Sequence, residues 1–231
     1  MLSVRDLTVV GRHGDLVPPT SFEARPGRLT LVRGDGQDER TALALAASGR
    51  YAPDSGTAAW GVRSTPRKDL RALRKAAALV DSPGINEAEL HLSVRDLVAE
   101  DLALLPRRHR GATDPSAWLT VHAFEDVAGD WARSLPPHRR VELLTELALA
   151  DPAVRLLVVD SPDRHSDRAG DWLPRLEALA GNPGRALAVV GVVAEVPLGW
   201  EGAVAVVGNA APAEGAECGD LAPREREEAR A

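Results

Sequence analysis

The sequence predicts an α/β fold: a mostly parallel sheet with helices on both faces, an antiparallel β edge and an inserted helical subdomain. Three observations carry this. Strand-like and helix-like runs alternate, as strand, loop, helix early in the chain and helix, strand, helix, strand late in it. "VRLLVVD" (154–160) and "ALAVVGVVA" (186–194) are nearly continuous apolar runs, as strands covered on both faces are. From about residue 82 to 136 no good strand pattern appears and the apolar spacing is helical.

The elements follow in order. "LSVRDLTVV" alternates well enough for a strand, and "TSFEAR" reads as a second edge segment. The turn Pro26–Gly27 leads into strand "RLTLVRG", and helix "ERTALALAASG" ends at Gly49. Turn residues at Pro53–Gly56 precede a short strand within "YAPDSGTAAWGV". "RKDLRALRKAA" is a short helix and "AALVD" another strand.

"LSVRDLVAEDLALL" (92–105) is amphipathic at helical spacing, with Ser93 placed to cap it by accepting from a first-turn N–H. A polar break, "PRRHRGATDPS", follows, and its arginines read as a solvated turn. "AWLTVHAFEDVAGDWARSL" is helical or mixed. Helix "RRVELLTELALA" stops at Asp151–Pro152, and strand "VRLLVVD" ends on Asp160. The helix in "DRAGDWLPRLEALAG" contains Pro174 and so starts late or bends. Strands "ALAVVGVVA" and "AVAVVG" complete the sheet. Residues 1–208 make one domain, and 209–231 read as an acidic disordered tail with few large apolar residues. Trp118, Trp131 and Trp172 are expected in cores or subdomain contacts.

The formal net charge of −6 provides no general field for nucleic acid or anionic membrane, so no nucleic-acid partner is expected. Cys218 is the only cysteine, which excludes an internal disulfide or a thiolate metal site and suits a reducing compartment. No cationic segment followed by an apolar stretch opens the chain, and its longest apolar run is about half of what spans a bilayer. The six histidines are scattered without metal-ligand spacing. There is no G-x-S-x-G and no G-x-G-x-x-G, so nucleophilic catalysis and dinucleotide binding lack support.

One segment has the layout of a phosphate site. Strand "LTLV" runs into a loop with Gly34 and Gly36, and a helix follows at once. Such a loop needs inward N–H groups backed by a helix N-terminus, glycines for close approach, a Lys for the β/γ-phosphates and a hydroxyl for Mg²⁺. Against G-x-x-x-x-G-K-[ST], Gly34 and Thr41 match, Glu39 replaces the second Gly and Arg40 replaces the Lys. A nucleotide here would lie on Gly34, Gly36, Arg40, Thr41 and Ala42, with Thr41 and Asp160 as the Mg²⁺ side. Asp35, Asp38 and Glu39 surround Arg40 with acid, which opposes a triphosphate.

The order of motifs over residues 1 to 208 resembles the ATP-binding cassette (ABC) family, the nucleotide-binding subunits of ABC transporters. "PGRLTLVRGDG" resembles that family's Walker A approach, and "YAPDSGTAAWGV" its segment after the Walker A helix. "SLPPHRRVELLTELALADPAVRLLVVDSPDRHSD" (134–167) resembles the signature motif, its helix, Walker B and the D-loop in sequence. On this resemblance the fold is P-loop NTPase-like, Asp160 ends Walker B and Asp167 is the D-loop residue. Residues of about 82–136 form the helical subdomain.

The departures bear on mechanism. The signature position holds Ser134, Leu135, Pro136, Pro137 and His138, and the prolines remove main-chain donors. Ser161 stands where the family has its catalytic glutamate, so no catalytic residue is assigned. Loss of a general base costs on the order of 10²–10⁴ in rate. The switch histidine falls at Val192 or Val193, the Q-loop glutamine at Asp81 or Ser82, and no aromatic stacks on adenine near Val10 to Arg12. The resemblance implies an ATP-binding subunit with weak ATP and Mg²⁺ binding and weak or lost hydrolysis. It implies a membrane-embedded transporter subunit as partner, touched by residues around 81–105, and a homo- or heterodimer with another cassette. It places the chain in the cytoplasm, peripheral on the inner face of the cell membrane. The alternatives are an active ATPase completed by a partner cassette, and a non-nucleotide adaptor on a P-loop-like fold.

Overall fold

The computed structural model describes residues 1–61, 65–89, 91–107, 109–110 and 114–210. Among the described residues eight strands form two sheets. The first is antiparallel, in the order β2 (Gly14–Ala24), β1 (Leu2–Gly11), β4 (Ser55–Trp60). The second is wholly parallel, in the order β5 (Ala77–Val80), β6 (Leu156–Asp160), β7 (Ala188–Val193), β3 (Leu29–Arg33), β8 (Ala203–Val206).

The apolar runs are explained by the two cores they divide. Val32, Val158, Val190 and Val192 face a core shared with the antiparallel sheet and α1 (Gln37–Ala47). Leu31, Leu157, Val159, Val189 and Val193 face the opposite core, under α5 (Pro137–Ala148) and α6 (Leu173–Ala180). Every residue of β6 and β7 is buried. Burying each large aliphatic side chain is worth about 1.5–3 kcal/mol, so these strands must be apolar on both sides. Helix α1 lies between the sheets because it buries the small residues Ala42, Ala44, Ala46 and Ala47 beside Leu43.

The antiparallel edge is longer than "TSFEAR" suggests. β2 starts at Gly14 and carries Pro18 and Pro19, which an edge strand tolerates because one row of its N–H groups is unpaired. β1 bulges near Asp6, and Gly56 sits against that bulge. A Cβ on Gly56 would lie 2.2 Å from the Asp6 carbonyl oxygen, so the turn at Pro53–Gly56 requires glycine there.

Between β5 and β6, among the described residues, lie α3 (Val94–Leu104), α4 (Pro115–Val121), short 3₁₀ turns and the whole of α5, with no strand beyond an isolated bridge between Ser93 and Trp131. Ser93 caps α3, its Oγ accepting from the Asp96 N–H at 3.1 Å. Trp118 and Trp172 are buried, as expected, but Trp131 is 52% exposed. Its backbone makes the bridge to Ser93, and its ring stays outside under the Arg133 guanidinium. α6 begins at Leu173, so Pro174 falls in its first turn, where proline costs no hydrogen bond. Asn209 and Ala210 are tied to β2: the Asn209 amide bonds both backbone groups of Ser21, and the Ala210 N–H donates to Pro19 O. Residues 211–231 of the expected tail, with Cys218, lie outside the described residues, as does part of the polar break after α3.

Asp101 on α3 lines the cleft beside β5. Burial, helped by the charge of Glu100, pushes its carboxyl up to about 6 from 3.8. A carboxyl with a raised folded pKa favours folding only while protonated. Its cost therefore appears as pH rises from the unfolded value toward the folded one and persists above it. Asp101→Asn is expected to raise the melting temperature at neutral pH, to change it little in acid, and to flatten the slope between. A melting temperature at neutral pH equal to or below the wild type would contradict this.

Candidate functional site

The site lies at the C-terminal ends of the parallel strands, where open α/β sheets place their ligands. β3 ends at Arg33, the loop 34–36 turns, and α1 starts at Gln37 with Gly36 as a cap that offers no side chain. β6 ends at Asp160, and Ser161 follows in a left-handed conformation with φ of 49°. Asp81 follows β5 with φ of 54°. These two turns bring the side chains after β5 and β6 against the loop after β3.

The loop is filled by its own side chains. Glu39 folds back so that its Oε2 accepts from the Asp35 N–H at 2.6 Å. Arg40 is 8% exposed and its guanidinium is spent inside the protein. Nη1 donates to Gly34 O at 3.0 Å and Asp35 O at 2.9 Å, Nη2 to Gln37 Oε1 at 2.9 Å, and Nε to Ser161 Oγ at 3.0 Å. Both side chains lie on the bare face of Gly34. A Cβ there would meet Glu39 Oε2 at 2.9 Å and Arg40 Cγ at 3.0 Å.

Beneath this lies a knot centred on Asp160, which is 1% exposed. Its Oδ2 accepts from Thr41 Oγ1 at 2.8 Å and Ser82 Oγ at 2.6 Å. Its Oδ1 accepts from Ser161 Oγ at 2.9 Å and Gln37 Nε2 at 3.4 Å. Gln37 Nε2 also reaches Thr41 Oγ1 and Ser161 Oγ. The structure thus brings Gly34, Arg40, Thr41, Asp160 and Ser161 together, with Gly36 capping the helix and Ala42 buried in its first turns. It adds Gln37 and Ser82, which sequence reasoning did not assign to this knot. A short amide inside a suspected phosphate loop was the available signal for Gln37.

Of the two Q-loop positions, Ser82 serves Asp160, and Asp81 turns to a separate ionic cluster. Asp81 pairs with Arg164 at 2.9 Å, His165 at 2.8 Å and Arg140 of α5 at 3.5 Å. Burial alone would raise its carboxyl. The His165 hydrogen bond and the charges of Arg164 and Arg140 overcome that and hold it below the usual carboxylate value. The turn after Asp160 is fixed at its other side by Asp163, whose Oδ2 accepts from the Ala194 N–H at 2.7 Å. Asp167 is exposed and lines a cleft of about 460 Å³ with Arg40, Arg164 and Glu195. Val192 and Val193, at the switch position, are fully buried in β7.

The signature-like residues are arranged for structure. Ser134 Oγ donates to Trp131 O at 2.7 Å, Leu135 is buried in the core, and Pro136 and Pro137 open α5 without an N–H of their own. His138 is exposed. Among the described residues no group of three or more His, Cys, Asp or Glu is placed to hold a metal ion.

A triphosphate needs the loop N–H groups and a free cation, and Mg²⁺ needs room between hydroxyl and carboxylate. Here a carboxylate holds the Asp35 N–H, four donor contacts of Arg40 are taken, and Thr41 bonds Asp160 directly. The residues in this arrangement do not fit Mg-ATP.

No family profile and no curated protein sequence matches the chain. Solved structures do match in shape. One is cbiO1 from Clostridium perfringens, part of the ABC transporter complex cbiONQ, at 16% identity and a TM-score of 0.59, covering 84% of this chain and 78% of that one. Another is the ATP-binding cassette MJ0796, solved as a dimer in a post-hydrolysis state bound to ADP and Pi. It has 16% identity and a TM-score of 0.60, with 84% and 88% covered. A third is MJ1267, an ATP-binding cassette of an ABC transporter, at 11% identity and a TM-score of 0.65, with 90% and 87% covered. At these identities the likeness is one of fold: the chain has the P-loop α/β architecture of ATP-binding cassettes.

Proposed function

We propose that this chain is an ABC-type cassette subunit whose phosphate loop is closed by its own side chains and whose ATP hydrolysis is lost, acting as a non-hydrolysing member of a membrane transport assembly. The observation that carries the reading is the occupied loop. Glu39 stands on the Asp35 N–H as a phosphate oxygen would, and Arg40 is turned onto the loop's own carbonyls. Mg-ATP enters only if these contacts break, which makes binding weak.

Hydrolysis is opposed a second time at Ser161. Its hydroxyl donates to Asp160 and accepts from Arg40 and Gln37, leaving no base to draw a proton from water. What the fold retains is a platform for partners. The neighbours in shape include a part of a transporter complex and a cassette dimer, and by that analogy this chain pairs with a second cassette and docks on a membrane-embedded subunit. Among the described residues no helix is long and apolar enough to cross a membrane.

The test is thermal unfolding of the full chain with and without millimolar Mg-ATP, beside a phosphate-release assay. The expected result is no shift in melting temperature and no release above background. Turnover at ordinary transporter rates that disappears in Asp160→Ala would overturn the proposal.

A further inference from the structure

α2 (Pro66–Ala76) is unlike any other element of this protein. It holds Arg67, Lys68, Arg71, Arg74 and Lys75 against one acid, Asp69, and its two lysines are the only lysines in a chain of net charge −6. At about 3.6 residues per turn the five cations fall within an arc of about 120°. The opposite face is used: Asp69, Leu73 and Ala76 are buried, and the helix packs on β4.

All five cations are exposed. Among the described residues none forms an ion pair, although Arg5, Arg25, Arg33, Arg139, Arg140, Arg164 and Arg175 all do. Arg74 keeps one structural contact, donating from Nε to Gly49 O at 2.9 Å. An unneutralised basic stripe on an acidic protein repels itself, and a polyanion relieves that repulsion.

We infer that the exposed face of α2 is a contact surface for anionic phospholipid headgroups. The stripe is one side of a convex helix, which meets a planar array of charges. Beyond cations that any polyanion can engage, it carries no aromatic ring for a base to stack on and no amide or hydroxyl side chain to read a base edge. The apolar face of α2 is already buried in the protein, so the contact is electrostatic, lies on the headgroups without insertion, and is salt-sensitive. The preference for a membrane over other polyanions rests on the cassette reading. The stripe itself does not, and it needs neither nucleotide nor the partner subunit.

The experiment is flotation of the full chain with vesicles of phosphatidylcholine alone, or with one quarter phosphatidylglycerol, in the absence of any permease. Binding is expected to the anionic vesicles only, and to vanish in high salt. Arg71→Glu with Lys75→Glu is expected to weaken it on the order of 100-fold, since each basic side chain near such a surface contributes severalfold. Arg133→Glu with Arg168→Glu makes the same charge change elsewhere and is expected to have a much smaller effect. Unchanged melting temperatures establish that both variants fold; if the α2 pair does not, Arg71→Gln with Lys75→Gln replaces it. Three results would each overturn the inference: no binding to anionic vesicles, equal weakening by both pairs, or tighter binding to duplex DNA or RNA at the same salt. None of them touches the cassette reading, which the nucleotide tests decide.

Discussion

Replacing Gln37, Glu39 and Arg40 together, as Gln37→Gly, Glu39→Gly and Arg40→Lys, is expected to give firm Mg-ATP binding in place of the weak binding proposed for the wild type. The three side chains are the ones that fill the loop. Glu39 occupies the Asp35 N–H, Arg40 holds the carbonyls of Gly34 and Asp35, and Gln37 lies across Thr41, Asp160 and Ser161. Removing them frees an N–H, returns a lysine that is not splayed over the loop, and clears the Gln37 amide from Thr41 and Asp160. A ligand at about 100 times its Kd adds about 2.7 kcal/mol. For a domain of this size each kcal/mol moves the melting temperature by about 2–4 °C. The shift expected in the triple variant at saturating Mg-ATP is therefore about 5–10 °C. Phosphate release should stay at background, because Ser161 still stands where a base is needed. If the triple variant folds and shows no shift, occupation of the loop is not what excludes nucleotide.

How much was legible in the sequence depended on what set each feature. The parallel strands were readable because burial on both faces leaves little room for polar residues, the buried Asp160 and Thr30 being exceptions. The runs at 154–160 and 186–194 are apolar for that reason, and the helix between them starts where Pro174 allows. β2 was underread because Pro18 and Pro19 look like breakers, and only its place at the sheet edge makes them acceptable. Trp131 was expected in a core or a subdomain contact, but it makes a backbone bridge to Ser93 while the residue is 52% exposed.

The site was legible as a set of positions and not as a set of partners. That Arg40, Thr41, Asp160 and Ser161 converge follows from strand order. That Arg40 turns inward depends on the bare face of Gly34 and on the left-handed turn that presents the Ser161 hydroxyl, which no spacing rule carries. The cluster of Asp81, Arg140, Arg164 and His165 joins three distant segments and has no local pattern at all.

Asp160→Ala is expected to destabilise the protein by about 3 kcal/mol, the second large effect, and to do so with or without Mg²⁺. The carboxylate is buried and accepts from Thr41, Ser82, Ser161 and Gln37. Removing it strands four donors, of which those of Ser82 and Ser161 are fully buried, and each buried unsatisfied group costs about 1–3 kcal/mol. The hydroxyls can rotate and Thr41, Ser161 and Gln37 can bond one another, which keeps the total below the sum. Two roles predict opposite signs here. A carboxylate kept for a metal is held apart from competing donors, and its loss without the metal relieves a buried charge and costs little. A carboxylate kept as the hub of a hydrogen-bond knot is missed at once. Chemical denaturation of wild type, Asp160→Ala and Asp160→Asn, each with Mg²⁺ and with chelator, separates them. The hub predicts a large loss in the alanine variant and a smaller one in the asparagine variant, which keeps one acceptor, with no dependence on the metal. Wild type stabilised by Mg²⁺, with an alanine variant as stable as metal-free wild type, would return Asp160 to the role of a metal ligand and reopen the loop as a nucleotide site.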